Sequence, residues 1–349
     1  MRQTALLGNA DTKRTDYFRQ AAKKAGLPIC FADWNDWERQ WESLTETELF
    51  LKIDPPLWKS CFLEELDSLT DDYKKKLDKL AKAADACKIE YFNHPSAIAE
   101  LLDKRACKKK LKQNGLPVTE SLEAAEEEVP NRLSVETLLE MMERCGIHQV
   151  FIKPVNGSGA AGVSAFRWQP RTGRMMLYTC SLEQEGIGLV NTKRLRRFSK
   201  PGETVSLLNR LLSLDCIVER WYAKEEYEGY SYDLRAVVQE NEVDFLLARL
   251  SKGPITNLHL NNHPMEAGML GLPAPVLDSV GEICRKAMGC FTGLRSAGID
   301  ILLEKGSLKP RIIEMNAQGD LIYQDIYHQN LIYGHQAEIM RQWLAGSGK

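Results

Sequence analysis

Nowhere in the 349 residues do about eighteen apolar residues run together, so no membrane-crossing helix is expected. An excess of one charge sign is missing too: 46 Lys and Arg meet 48 Asp and Glu, a formal net charge of −2. That balance gives no global attraction to nucleic acid or an anionic membrane, so a charged partner must be met locally. The nine cysteines are odd in number and contain no CxxC pair, which argues against a disulfide framework and a zinc ribbon and for reduced thiols. The opening MRQTALLGNADTKR passes from a short apolar run straight into polar residues, without the pattern of a secretory leader. A soluble, cytoplasmic protein is the expectation. Internal repeats and low-complexity segments are lacking as well.

What is present is ample core material. The hydrophobic fraction is 44%, and the length suits two or three domains. Thr4 to Leu7 is an apolar run ending at Gly8 and Asn9, followed by helical periodicity through Phe18, Ala21, Ala22 and Ala25. Strand, turn, helix, strand opens a parallel α/β unit, and the first boundary is expected near Asn93, His94 and Pro95. Helices are expected from Leu66 to Ala86, Ser96 to Asn114, Val135 to Arg144 behind an N-capping Ser134, and Val276 to Thr292. Strands are expected at Val150 to Lys153, Cys216 to Trp221, Leu234 to Val238, Val243 to Leu250, Gly298 to Leu303 and Arg311 to Met315.

Two segments carry chemistry. Val150 to Val163 reads VFIKPVNGSGAAGV, an apolar strand bearing Lys153 and then Gly157, Ser158, Gly159 and Gly162. Glycines let backbone amides face a polyphosphate with no Cβ in the way, and a lysine adds charge. Alone, the segment reads equally well as a hairpin tip; no GK[ST] follows, and no helix opens at the last glycine. The second segment is the pair GIDILL and RIIEMN, joined by Glu304 to Pro310. In an antiparallel hairpin, alternate side chains share a face, so Asp300, Glu314 and Asn316 can converge as three oxygen donors suited to magnesium. Their neighbours are nearly all apolar, and buried carboxylates need a cation.

Together these motifs resemble the ATP-grasp ligases, of the glutathione synthetase and ribosomal-protein glutamyl ligase type, from roughly Pro95 to the end. The resemblance implies an N-terminal pre-ATP-grasp domain over 1–94, a small lobe with a glycine-rich flap over 95–220 and a large lobe with the metal site over 221–349. It implies that Lys104 and Lys153 contact ATP phosphates under a flap from Gly157 to Gly162. In CIVERWY, Glu219 would take the adenine amino group while Arg220, Trp221 and Tyr222 offer backbone to the base. Asp233 resembles a ribose-side residue, and Arg235 the arginine that steadies the transferring phosphoryl group. Arg249, Lys252 and Asn257 resemble the block that binds the phosphates and acyl phosphate. Asp300, Glu314 and Asn316 match the metal ligands, for magnesium or manganese. After the asparagine this chain reads AQGDLIYQD, unlike the small-residue, proline and glycine turn of many relatives. The N-terminal domain, with FLKIDPP and its tryptophans, resembles an uncharacterised bacterial branch more than a ligase of known substrate.

The implied activity is a carboxylate-amine ligase, forming a C–N bond and ADP through an acyl phosphate, on an amino acid, small peptide or peptide precursor. A kinase-like phosphoryl transfer and a non-catalytic nucleotide-binding regulator stay open as alternatives. A homodimer is left open; a nucleic-acid or membrane partner is not expected. Three further features have two readings each, and a fourth has one. Trp34, Trp37 and Trp41 read as core or interdomain contact, or as a peptide-docking stripe. The basic run Lys193 to Lys200 reads as a solvated loop, or as a receiver of an acidic substrate, a peptide or nucleic acid. His259 and His263 read as loop residues beside the site rather than metal ligands. Gln318, Asp320, Tyr323 and Asp325 are placed to face the acceptor.

Overall fold

A computed structural model of the chain describes residues 2–58, 62–86, 88–122, 132–157, 159–319 and 329–346. Ser158, Asp320, Tyr323 and Asp325 lie outside the described residues. The first sheet is the parallel unit read from the sequence. Strands β1 (Arg2–Gly8), β2 (Cys30–Asp33), β3 (Glu48–Ile53) and β4 (Ile89–Tyr91) lie in the order β2-β1-β3-β4, all parallel. Helices α1 (Lys13–Lys24), α2 (Trp37–Thr45) and α3 (Leu66–Ala86) connect them. Thr12 caps α1 by accepting the Thr15 amide at 3.1 Å. Trp34 and Trp37 are buried edge to face, 5.9 Å apart, in a core with Tyr73 and Leu77. The docking-stripe alternative therefore fails for those two rings.

The second sheet is antiparallel. Its strands β5 (Gln149–Pro154), β6 (Ser164–Gln169), β7 (Arg174–Gln184), β8 (Gly188–Phe198) and β9 (Cys216–Arg220) run in the order β8-β7-β6-β5-β9. Helices α6 (Val135–Arg144) and α7 (Pro201–Leu212) seal one face with Leu138, Met142, Leu208 and Leu211 over Ile152 and Phe166. Ser134 caps α6 as expected, accepting the Thr137 amide at 3.2 Å. The basic run is not a loop: Lys193, Arg194, Arg196 and Arg197 belong to β8, and Lys200 precedes α7. As an edge strand β8 keeps polar groups along its length, so its sequence lacks the alternation that marks a half-buried strand.

The third sheet holds β10 (Glu226–Tyr227), β11 (Tyr230–Gln239), β12 (Glu242–Ser251), β13 (His263–Glu266), β14 (Ser296–Leu303) and β15 (Pro310–Asn316), in the order β13-β12-β11-β14-β15 with β10 on β11. Helix α8 (Ala274–Gly289) packs Ile283, Cys284 and Ala287 against it. The same core takes Ala97, Leu101, Cys107 and Leu111 from α4 (Pro95–Leu101) and α5 (Lys104–Gln113). The sequence suggests one helix from Ser96 to Asn114. The chain breaks it at Leu102 and Asp103, because the Asp103 carboxylate accepts the Ala106 amide at 2.8 Å and starts a new helix. That restart sets Lys104 and Lys108 on one face of α5, one turn apart. Helix α9 (Leu331–Leu344) returns to the first sheet, packing Ile332, Tyr333 and Met340 against Leu6, Phe18 and Phe50. No helix among the described residues is long and apolar enough to cross a membrane.

One buried side chain ties the first sheet to the third. Asn93 donates from Nδ2 to the carbonyls of Ser296 (2.8 Å) and Ala317 (2.7 Å), while its Oδ1 accepts the amides of Arg295 and Ser296, both at 2.9 Å. Asn93→Ala strands those buried groups, and urea unfolding should show a loss of about 3 kcal/mol. A loss under about 1 kcal/mol would show that the joint is held elsewhere.

Candidate active site

Two connected cavities lie where the three sheets meet. The larger, about 470 Å³, is walled by the N-terminus of α1, the Pro55–Trp58 segment, α4 and the end of β15. The smaller, about 80 Å³, lies between Phe151, Lys153 and Glu219 of the second sheet and Asp233, Asp300 and Glu314 of the third. Lys104, Gly157, Gly159, Arg249, Asn257 and Glu314 line both. The glycine-bearing strand and the carboxylate hairpin thus face each other across one space. Together the walls carry eight Lys and Arg against four Asp and Glu, in a chain whose formal net charge is −2.

The first ionic group centres on Glu219, 2% exposed. Its carboxylate accepts Lys153 Nζ at 2.8 Å, Lys108 Nζ at 3.0 Å and the Thr119 hydroxyl at 2.7 Å. These contacts, rather than a free face for an adenine amino group, surround it, because a buried carboxylate must be matched by cations. Burial acts to raise the Glu219 carboxyl; Lys108 and Lys153 overcome it and hold the group at about 2. Burial pulls the Lys104 and Lys108 ammonium groups below the usual lysine range. Lys104 donates to the Gly157 carbonyl at 2.7 Å and so holds the glycine hairpin by its backbone. Gly157 and Gly159 line the cavities at φ +106° and +66°, where a side chain would be strained. Gly162 does not line them; it abuts Pro154, whose Cγ a Cβ would approach to 2.5 Å.

The second group is built on the third sheet. Cross-strand register pairs Asp300 with Glu314 and Gly298 with Asn316, so the three oxygen-bearing side chains share a face. Asp300, 3% exposed, is bonded by Arg235 Nε, and accepts Arg235 Nη2 at 3.2 Å and Arg249 Nη2 at 2.9 Å. Arg249 Nε also donates to Asp233 at 2.7 Å. Asp233 is further held by the Thr256 hydroxyl and by Lys224 at 3.4 Å, so its oxygens are committed to the protein rather than turned to a ribose. Burial alone would raise the Asp233 and Asp300 carboxyls. The guanidinium of Arg249, with Lys224 at Asp233 and Arg235 at Asp300, lowers both.

Among the described residues no three His, Cys, Asp or Glu side chains cluster as an all-protein cage for a metal. Glu314 and Asn316 line the larger cavity with a carboxylate and an amide oxygen, donors that suit a magnesium shared with substrate phosphates. Asp300 lines the smaller cavity with both oxygens engaged by Arg235 and Arg249, so a magnesium there would have to take it from those guanidinium groups. Asn316 Nδ2 donates to Glu314 at 3.3 Å, which holds the two together.

Several expected residues fall elsewhere. Lys252 is exposed, with its ammonium 5.2 Å from the Tyr230 ring centre, and lines neither cavity. Lys224 occupies the cavity wall instead, donating to Thr256 at 2.7 Å. Trp221 lines neither cavity: its backbone amide donates to the Gln149 carbonyl at 3.2 Å and its carbonyl accepts Gln149 Nε2 at 3.1 Å, whereas Arg220 and Tyr222 line the smaller cavity. Asn257 lines both cavities and accepts the His259 amide at 2.9 Å. His259 lines the larger cavity beside Gly159, whereas His263 opens β13. Gln318 does line the larger cavity, where it is fixed by the Tyr73 hydroxyl (2.8 Å) and by donation to the Ile53 carbonyl (2.6 Å). Lys108 and Lys224 were missed; the i, i+4 spacing from Lys104 could have flagged the first.

No protein-family model and no curated protein matches the sequence. Solved structures do. The chain is similar to the D-cycloserine synthetase DcsG at 13% identity, covering 96% of this chain and 98% of that one, TM-score 0.59. It is similar to the macrocyclase MdnC from Microcystis aeruginosa MRC, bound with precursor peptide MdnA, at 12% identity over 97% and 99%, TM-score 0.60. The ATP-grasp ligase PsnB, complexed with minimal precursor, Mg and ADP, matches at 14% identity over 92% and 91%, TM-score 0.53. The chain therefore has the ATP-grasp fold.

The Glu219 group gives a pH signature. Its folded carboxyl sits below the ordinary 4.5, so its stabilisation is present above that value and is lost as pH falls towards about 2. Between those values the urea midpoint of the protein should fall more steeply than that of Glu219→Gln. Equal slopes would remove Glu219 as the titrating group.

Proposed function

We propose that the protein is an ATP- and magnesium-dependent, ADP-forming ligase that joins a carboxylate to an amine through an acyl phosphate. The observation that carries this reading is the single space in which the Lys153 strand and the Asp300–Glu314 hairpin meet, with cations outnumbering carboxylates on its walls. A carboxylate is a weak electrophile until a phosphoryl group is placed on it. Phosphoryl transfer asks the protein for positioning and charge neutralisation rather than covalent help. Lys104, Lys153, Arg235 and Arg249 supply that charge, and Gly157 and Gly159, which line both cavities, would offer backbone to the phosphates. Glu219 holds Lys153 in place, Asp233 holds Arg249, and Asp300 holds Arg235. Phe151, Ile255, Leu302 and Ile313 give the smaller cavity apolar walls for a base, beside Arg220 and Tyr222. Asp300, Glu314 and Asn316 would hold the magnesium, which when bound neutralises phosphate charge; manganese offers the same chemistry. Asn257 lines both cavities and Lys224 the smaller one.

The larger cavity takes the substrates. An amino acid, small peptide or precursor peptide is supported by the solved relatives, one a D-cycloserine synthetase and two bound to precursor peptides. Calorimetry should register uptake of ATP with magnesium, and ADP release should require both an acid and an amine; release with the amine left unconsumed would indicate a kinase-like reaction instead. Glu314→Gln should lower ADP release on the order of 100-fold with the urea midpoint unchanged. Wild-type turnover in that variant would sink the metal assignment.

A further inference from the structure

We propose that the larger cavity selects a carboxylic acid with a bulky apolar body, read by the Pro55–Trp58 segment that follows β3. The inference rests on the ligase reading above and names the substrate class of that site. Leu57 is 53% exposed, yet its side chain lines the cavity. The segment is held in shape: two prolines fix its backbone, and the Leu57 amide donates to Asn9 Oδ1 at 2.7 Å. Leu101 and Leu102, at the end of α4, line the same cavity. The cavity shares Lys104 and Arg249, beside Glu314, with the nucleotide space, and the acyl phosphate of the proposed reaction must form there, so the acid group belongs at that end. A ligand with its acid group there has its body over the leucines. A volume near 470 Å³ fits an amino acid or dipeptide with large side chains and is oversized for glycine or acetate. An apolar wall left wet in a preformed site gains from a ligand that covers it, and rewards each added carbon by a modest factor.

The chemistry allows a test without knowing the amine. The acid oxygen bonds to the γ-phosphorus as the bridge to the β-phosphate breaks and ADP leaves. Hydroxylamine then forms the C–N bond of a hydroxamate as phosphate departs, its lost proton going to solvent. The full chain with magnesium, ATP and excess hydroxylamine is given matched pairs: leucine and glycine, hydrocinnamate and acetate, leucyl-leucine and glycyl-glycine. ADP and hydroxamate should form at least about tenfold faster, as kcat/KM, with the bulky member of at least one pair. Leu57→Asp, at a half-exposed position, should raise KM for that acid about tenfold or more while calorimetric affinity for magnesium ATP is unchanged; Leu57→Met should keep the preference. Equal rates within pairs, preference for the small members, or no turnover of any bulky acid by a chain that takes up magnesium ATP each overturns the inference. Failure to take up magnesium ATP at all instead removes the ligase reading beneath it, and the inference with it.

Discussion

Removing carboxylates from water is the constraint on which this structure turns. Glu219, Asp233 and Asp300 are each almost wholly buried, and none could ionise there without cations delivered to it. Lys108 and Lys153 come to Glu219 from a helix and a strand that meet only in the fold. Arg235, Arg249 and Lys224 come to the two aspartates from neighbouring strands and the segment after β9. One of these contacts, Lys108 to Glu219, runs from a helix packed on the third sheet to a strand of the second and so helps set where the two sheets stand. The space between them is thereby supplied with cations that are already ordered before any ligand arrives.

Pre-ordering matters because long cationic side chains are costly to immobilise at the moment of binding. A lysine resting on Glu219 has lost that freedom during folding, and a phosphate arriving beside it need only compete with a carboxylate. The glycine hairpin is treated in the same way, its Gly157 carbonyl held by Lys104. Both walls of the nucleotide space are therefore set by interactions internal to the protein.

Much of this was legible in the chain. The apolar runs of β1, β5, β14 and β15 and the long periodic helix α3 announce themselves, because burial on both faces or on one stripe leaves a plain pattern. The convergence of Asp300, Glu314 and Asn316 follows from strand alternation alone. What stayed hidden was set by tertiary partners. Lys108 looks like any lysine of a charged helix until Glu219 and Thr119 are placed against it. Lys224 was passed over for Lys252, since only the path of the chain after β9 decides which of them points inward. The roles read for Glu219 and Asp233 presumed unoccupied carboxylates, and a linear sequence does not show that cations already surround them. The basic run of β8 reads as a loop in the sequence because its pattern answers to solvent rather than to a core.

That edge has a consequence for how copies of the molecule meet in a crowded solution. β8 ends the second sheet; past the Val190–Phe62 bridge its outer edge offers backbone amides and carbonyls as a template on which another strand can grow. Lys193, Arg194, Arg196 and Arg197 sit along that border. Two such borders brought together would press four positive charges against four, so the residues that erased the strand's signature also deny a second chain a place to nucleate a shared sheet.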